Sequence, residues 1–131
     1  MEMNVSKSQV REELGKRWKE QAVELALLGR WDEAVQMNLR ILELFPDDIG
    51  AQNRLGKAYR ELGRLEEAVA AYEESLRRHP SNPIARKNLT GLYTALNRDP
   101  ETLVGIMDGQ DEEDDDVEDD AVDELDEDDS D

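Results

Sequence analysis

Apolar residues recur at intervals of three and four along much of the chain, which is the spacing of one face of an α-helix. In the middle of the sequence, Leu55, Tyr59 and Leu62 form one such stripe. Gly63 follows this stripe, at the place where a helix commonly ends in a left-handed residue. A second stripe consists of Leu65, Ala68, Val69, Tyr72 and Leu76. Its helix is expected to end before Pro80, because the residue preceding a proline is pushed out of the helical region. The pattern predicts two helices joined by a short turn.

Similar helices are predicted on either side of this pair. The preceding pair has two apolar stripes, which are separated by Gly29, and the second ends before Pro46. The first stripe is Trp18, Ala22, Leu25 and Leu28, and the second is Trp31, Val35, Leu39 and Leu42. Ser6 and Gln9 have the spacing of a capping box, so the first helix is expected to begin early. After the middle pair the stripe is Ile84, Leu89, Tyr93 and Leu96. Asp99 and Pro100 then predict the N-cap and first residue of a last helix, which ends near Met107.

The helix pairs follow one another with a period of 34 residues. A shift of that length aligns identical residues over about 90 residues, among them Leu28, Leu62 and Leu96; Gly29 and Gly63; Arg30, Arg64 and Arg98; Glu33, Glu67 and Glu101; and Pro46 and Pro80. One helix pair cannot bury its apolar stripes alone, so neighbouring pairs must stack, and about three repeats are the usual minimum. The period therefore predicts a stacked helical repeat.

These residues resemble the tetratricopeptide repeat family, whose units are helix-turn-helix pairs of the same length. Its preferred residues correspond to Trp18, Ala34 and Pro46 in the first unit and to Leu55, Gly56, Tyr59, Ala68, Tyr72 and Pro80 in the second. The third unit keeps Leu89 and Tyr93 but has Thr90 and Thr102 where the family prefers Gly and Ala. The resemblance implies an all-α tetratricopeptide repeat solenoid with two good 34-residue repeats and a degenerate third. It also implies that the function is protein–protein binding.

We expect the repeat domain to span residues 8–110, with repeats at about 15–48, 49–82 and 83–110, and an acidic tail to follow at 111–131. The tail contains sixteen acidic residues and no basic one, and its apolar residues are Val117, Ala121, Val122 and Leu125. Such a segment cannot bury enough apolar surface to offset the entropy lost on ordering. The sequence therefore predicts a disordered C-terminus.

Composition and charge exclude several classes of function. The net charge is −18, but residues 1–110 contain sixteen basic and eighteen acidic residues and carry only −2. The chain has no cysteine and one histidine, which argues against a disulfide framework, a thiolate or histidine metal site and a Ser–His pair. We expect a protein that is not an enzyme and needs no cofactor.

Other features restrict its location and partners. The few aromatic residues do not favour stacking on bases, so no direct nucleic-acid binding is expected. No apolar run is long enough to span a bilayer, and residues 1–7 contain no apolar signal segment. We expect a cytoplasmic protein without a membrane span.

The resemblance also implies a binding surface, because the first helix of each repeat lines a concave face in this family. On the side of these helices opposite the apolar stripes, basic and amide side chains accumulate. We call this predicted site the basic face: Lys16, Lys19, Asn53, Arg54, Lys57, Arg60, Lys87 and Asn88. No acidic residue occupies these stripes, although Glu20 and Glu61 lie beside them. Lys and Arg would bind carboxylates and Asn would hold peptide backbone, so an acidic or C-terminal segment of another protein is the expected ligand.

Some relatives bind chaperone C-termini with a two-carboxylate clamp of Lys, Asn, Asn, Lys and Arg. Only Lys19 matches this set here. The other four positions carry Val23, Arg54, Ile84 and Asn88. The sequence therefore does not favour a chaperone-tail clamp.

Three functions remain open at this point. In the first, the chain is a non-enzymatic adaptor whose basic face binds a partner and is covered by its own acidic tail in the partner's absence. In the second, the tail acts as a chaperone or nucleic-acid mimic for basic proteins, because its carboxylates attract cations over a Debye length of about 8 Å. In the third, the chain is an accessory subunit of a larger enzyme complex and the tail only keeps it in solution.

Overall fold

The computed structural model describes residues 6–99 and residue 101. The elements in this part are the α-helices α1 (Lys7–Leu27), α2 (Trp31–Leu44), α3 (Ile49–Glu61), α4 (Leu65–Arg78) and α5 (Pro83–Ala95). Each helix packs against the next along the chain, and α1 also contacts α3. The predicted all-α helical repeat is therefore confirmed. The predicted disordered tail and the body of the last helix lie outside the described residues.

Turns that lie 34 residues apart share one hydrogen-bonded geometry. Their left-handed residues are Gly29, Gly63 and Asn97, with φ of +72°, +78° and +60°. The next residue in each turn donates its backbone N–H to the carbonyl five residues earlier, at 2.9, 2.9 and 2.7 Å. This is the Schellman motif, which gives partners to carbonyl groups that a helix end leaves unpaired. Asparagine tolerates the left-handed region better than other side chains, so Asn97 continues the repeat where glycine is missing.

Side-chain caps begin the odd-numbered helices. The capping box predicted for Ser6 and Gln9 is confirmed, since each side chain bonds the other residue's backbone N–H. Asp48 accepts from the N–H of Ala51 at 2.9 Å, and Asn82 caps α5 in the same manner. Asp99 accepts from the N–H of residue 101 at 3.0 Å, as expected for an N-cap. These caps set where the helices that carry the basic face begin.

Helix α3 lies at the centre of the stack. Residues 50–58 are all buried, because α3 packs between α2 and α4 and also touches α1. Gly56 lets the fully buried ring of Tyr72 approach the helix, since a Cβ at residue 56 would lie 2.6 Å from ring atoms. The four members of the basic face on α3 are thus carried by a helix whose position is fixed from several sides.

Two parts of the predicted apolar pattern are wrong. Leu28 is 59 % exposed and Leu39 is 38 % exposed, although both were expected in the core. The counterpart of Leu28 in the next repeat, Leu62, packs against a cluster that includes α2; no helix precedes α1 within the described residues to cover Leu28. Conversely, Val23 and Ala26 lie outside the predicted apolar stripes of α1 and are nevertheless buried. Helix α1 packs against α2 and also contacts α3.

Candidate functional site

Three residues of the basic face line one cleft, which we call the α3–α5 cleft. Its volume is about 350 Å³, and its walls come from α3, the start of α4 and α5. The predicted members are Arg60, Lys87 and Asn88. The other lining residues are Leu65, Gly91, Leu92 and Ala95. The structure therefore brings cations from two different helices, α3 and α5, to one cleft.

Arg60 and Asn88 connect the two sides of the cleft. Arg60 donates a hydrogen bond from Nη1 to the Oδ1 atom of Asn88. Asn88 in turn donates from Nδ2 to the backbone carbonyl of Ile84 at 2.8 Å, which fixes its side chain along α5. The Arg60 side chain remains 28 % exposed. The guanidinium is thus held in place while part of it still faces solvent.

The charge around the cleft is positive but partly balanced. The carboxylate of Glu61 lies 3.3 Å from Nζ of Lys57 and 4.0 Å from Nη2 of Arg60. Nζ of Lys57 also lies 5.5 Å from the centre of the Trp31 ring, a cation–π distance. Glu61 therefore offsets part of the positive charge of the basic face. Together with Lys87, these charged groups leave a net charge of +2, which favours an anionic ligand.

The other lining residues of the cleft are apolar, which the sequence did not indicate. Leu65 was expected only in the core, and Leu92 and Ala95 were not assigned to the binding surface at all. Gly91 could have been a signal, because it lies on the same helical stripe as Lys87. A Cβ placed at Gly91 would meet no atom within 4 Å. The glycine therefore leaves open space into which a ligand side chain could enter.

Asn53 faces the junction of three helices rather than the cleft. Its side chain is 1 % exposed, and its Oδ1 accepts from Nδ2 of Asn82 at 2.9 Å. The same Nδ2 group lies 2.8 Å from Oγ of Ser75 in α4. This network ties α3, α4 and the start of α5 together. In the structure Asn53 positions α5, and its contact with a peptide stays a prediction.

Arg54 is also buried, at 2 % exposure. Its Nε atom donates to Oδ1 of Asn38 at 3.0 Å, and Asn38 donates to the carbonyl of Ala34 at 2.9 Å. A signal for this pair was available in the repeat, since Asn38 stands 34 residues before the aromatic Tyr72. A polar residue at a core position requires a polar partner, and Arg54 provides one.

Comparison with known proteins identifies the repeat. Residues 21–81 match a family model described as tetratricopeptide repeat. Residues 21–81 therefore belong to the tetratricopeptide repeat family. The match covers part of α1 and all of α2, α3 and α4, and it ends before α5, so the third repeat stays a prediction. No curated protein matches the chain.

Tetratricopeptide repeats are protein–protein interaction modules and are typically non-catalytic. The predicted interaction function is confirmed at this level. None of the helices in residues 6–99 has the length and apolar character needed to cross a membrane.

The two members of the basic face on α1 do not line the α3–α5 cleft. Lys16 is exposed and Lys19 is half-buried, and neither lines the cleft. Val23 and Ile84, which stand at two of the clamp positions, are buried at 8 % exposure each. The predicted roles of Lys16 and Lys19 in partner binding stay predictions.

Elsewhere on the repeats, arginines neutralise acidic side chains. A hydrogen bond of 2.8 Å from Arg78 lowers the pKa of Glu74, and a similar bond of 2.9 Å from Arg64 lowers the pKa of Glu67. Burial, followed by its hydrogen bond to Glu73, raises the pKa of Tyr93. Glu67, Glu73 and Glu74 of α4 thus each bond a neighbouring side chain.

Proposed function

We propose that the protein is a cytoplasmic, non-enzymatic adaptor that binds an acidic segment of a partner protein on its basic face, centred on the α3–α5 cleft. The observation that carries this proposal is the position of Arg60 and Lys87 on the rim of one open cleft. Carboxylates of the segment contact these cations, while an apolar side chain enters beside Gly91. Lys16 and Lys19 extend the positive surface along the first repeat.

The size of the cleft fits this type of ligand. A volume of about 350 Å³ is at the low end of the range for ligand pockets, roughly 300–1,000 Å³. It accommodates one or two side chains of a peptide better than a large cofactor. Exposed ion pairs contribute only about 0.2–1 kcal/mol each, whereas burial of one Leu or Val side chain contributes about 1.5–3 kcal/mol. The apolar lining residues therefore supply more affinity than the cations, and the cations supply selectivity for acidic segments.

The test uses a short fluorescein-labelled peptide with one leucine among aspartates and glutamates, which we call the acidic leucine probe. Its binding to the full chain is measured by fluorescence anisotropy. Lys87→Gln should weaken binding about 1.5- to 5-fold, the effect of one exposed ion pair. Lys7→Gln, which removes the same charge from an exposed position at the start of α1, should have no such effect.

The controls for this test vary the probe. A probe with lysines in place of its acids should not bind, and a probe with serine in place of leucine should bind more weakly. Equal losses for Lys87→Gln and Lys7→Gln would contradict the proposal, because they would show a general charge effect rather than a site.

A second candidate function is favoured by one sequence observation. Residues 111–131 contain sixteen acidic residues, which would attract a basic protein. In that case a cationic probe should bind the full chain, lose affinity steeply as salt is raised, and be unaffected by Lys87→Gln. Replacement of the acids in residues 111–131 by their amides should abolish its binding.

A further inference from the structure

The α3–α5 cleft combines two chemistries that a purely anionic ligand cannot satisfy. Arg60 and Lys87 stand at its rim, but Leu65, Leu92 and Ala95 form much of its surface. The space beside Gly91 is open, since a Cβ there would meet no atom within 4 Å. A run of carboxylates alone would pair with the rim and leave the apolar surface in contact with water. The best ligand carries an aliphatic side chain directly beside carboxylates.

The chain carries that pattern in its own C-terminal segment. Val122 and Leu125 stand three positions apart, separated by Asp123 and Glu124 and followed by further acids. No basic residue occurs from residue 111 onward, so nothing in this segment repels the rim cations. The aliphatic residues also distinguish it from a segment that serves only to raise solubility. Charge and apolar character are therefore both complementary to the cleft.

The connection is long enough for this segment to reach the cleft of the same molecule. Twenty residues separate the last described position, Glu101, from Val122. An extended connection of that length spans up to roughly 70 Å. The cleft is lined by Ala95, the last residue of α5, and a helix of thirteen residues is only about 20 Å long. The chain therefore reaches any part of the cleft without strain.

We propose that Val122 and Leu125 occupy the α3–α5 cleft of their own chain, with neighbouring carboxylates on Arg60 and Lys87, and that a partner must displace them. This inference rests on the proposed function, since it concerns the regulation of the same cleft. A tethered segment has an effective concentration on the order of 1 mM. For an intrinsic dissociation constant of about 0.1–1 mM, the segment would weaken partner binding by about 2- to 10-fold.

The experiment uses the full chain with Val122→Ser and Leu125→Ser together, which leaves every charge in place. The acidic leucine probe should bind this double variant about 2- to 10-fold more tightly than it binds the unaltered chain. In NMR spectra of the free proteins, the backbone amide resonances of Gly91 and Ala95 should differ between the two. Val10→Ser, the same type of change at a half-exposed position in α1, should alter neither result.

A second variant tests whether the cleft itself is involved. Gly91→Leu fills the open space, and the first atom of the new side chain meets no neighbour within 4 Å. In a protein with this change, the serine substitutions should no longer alter the Ala95 resonance. A persistent difference would place the aliphatic residues elsewhere and overturn the proposal.

Other outcomes separate the alternatives. Unchanged Gly91 and Ala95 resonances in the double serine variant would refute docking of the segment even if the probe binds, and the proposed function would stand. A resonance difference without any probe binding would support docking and refute the proposed function for this class of ligand. A difference that disappears on dilution would show that the segment of a second copy occupies the cleft, which would overturn docking within one chain.

Discussion

Helices α3 and α5 each contain one glycine in their interior. The same substitution at these two glycines tests how closely other side chains pack against each helix. Gly56 in α3 faces the ring of Tyr72, and a Cβ there would lie 2.6 Å from ring carbons. Gly91 in α5 faces the open cleft, and its Cβ would meet nothing within 4 Å. Both are replaced by alanine. The gain in helix propensity is the same at both sites, about 0.8–1 kcal/mol, so any difference reports on packing.

The expected magnitudes follow from these distances. Gly91→Ala should stabilise the fold by about 0.8–1 kcal/mol, since nothing opposes the gain. Gly56→Ala must move the Tyr72 ring by nearly 1 Å to reach an ordinary contact distance, and the ring is fully buried. Overpacking of this kind costs about 1–3 kcal/mol. The net effect at residue 56 should therefore lie between neutral and about 2 kcal/mol of destabilisation.

The assay is urea unfolding followed by circular dichroism, with thermal midpoints measured in parallel. For a domain of this size, 1 kcal/mol corresponds to roughly 4–8 °C in the thermal midpoint. Gly91→Ala should therefore raise the midpoint by about 4–8 °C, and Gly56→Ala should leave it unchanged or lower it. If both variants gained the same stability, the close packing of Tyr72 on α3 would be refuted. If Gly91→Ala were destabilising, the open space in the cleft would be refuted.

Two further predictions concern the helix junction and pH. Asn82→Ala removes the cap of α5 and a donor to Asn53, so it should cost about 1–3 kcal/mol of unfolding free energy in urea titrations; an equal loss for the exposed Ser81→Ala would contradict the network. The raised pKa of Tyr93 means that its phenol stays protonated in the fold. The stability this provides is complete below about pH 10, the pKa in the unfolded chain, and falls by about 1.4 kcal/mol per pH unit above it. Unfolding measured from pH 9 to 11 should show this loss, and Tyr93→Phe should reduce it; identical pH profiles would contradict the assignment.

The fold was largely predictable because local and periodic signals agree along the chain. The 34-residue period, the glycines at positions 29 and 63 and the prolines after the second helices all indicate where helices end. The turn at Asn97 was not predicted, although the same shift places it in register with Gly63. After glycine, asparagine is the residue found most often at a left-handed helix end. The alignment of identical residues therefore did not show that Asn97 and Gly63 adopt the same backbone conformation.

The candidate site was predictable only in part. The spacing of residues along the helices placed Lys87 and Arg60 on a common face, and the structure brings them to one cleft. This spacing could not distinguish Lys87 and Arg60, which line the cleft, from Asn53 and Arg54, whose side chains are buried in polar contacts. Helical spacing states on which side of a helix a residue lies, but burial depends on how closely the next helix approaches. That distance is set by tertiary packing, which also leaves Val23 of α1 buried.

Binding of an acidic, aliphatic segment to the α3–α5 cleft can be mapped residue by residue by NMR. The isotope-labelled full chain is titrated with the acidic leucine probe while backbone amide shifts are followed. Binding in the cleft should give saturable shifts that are strongest at Arg60, Gly91 and Ala95, and that are reduced in Lys87→Gln. Shifts confined to Lys16 and Lys19, or the absence of any saturable shift around the cleft, would contradict it.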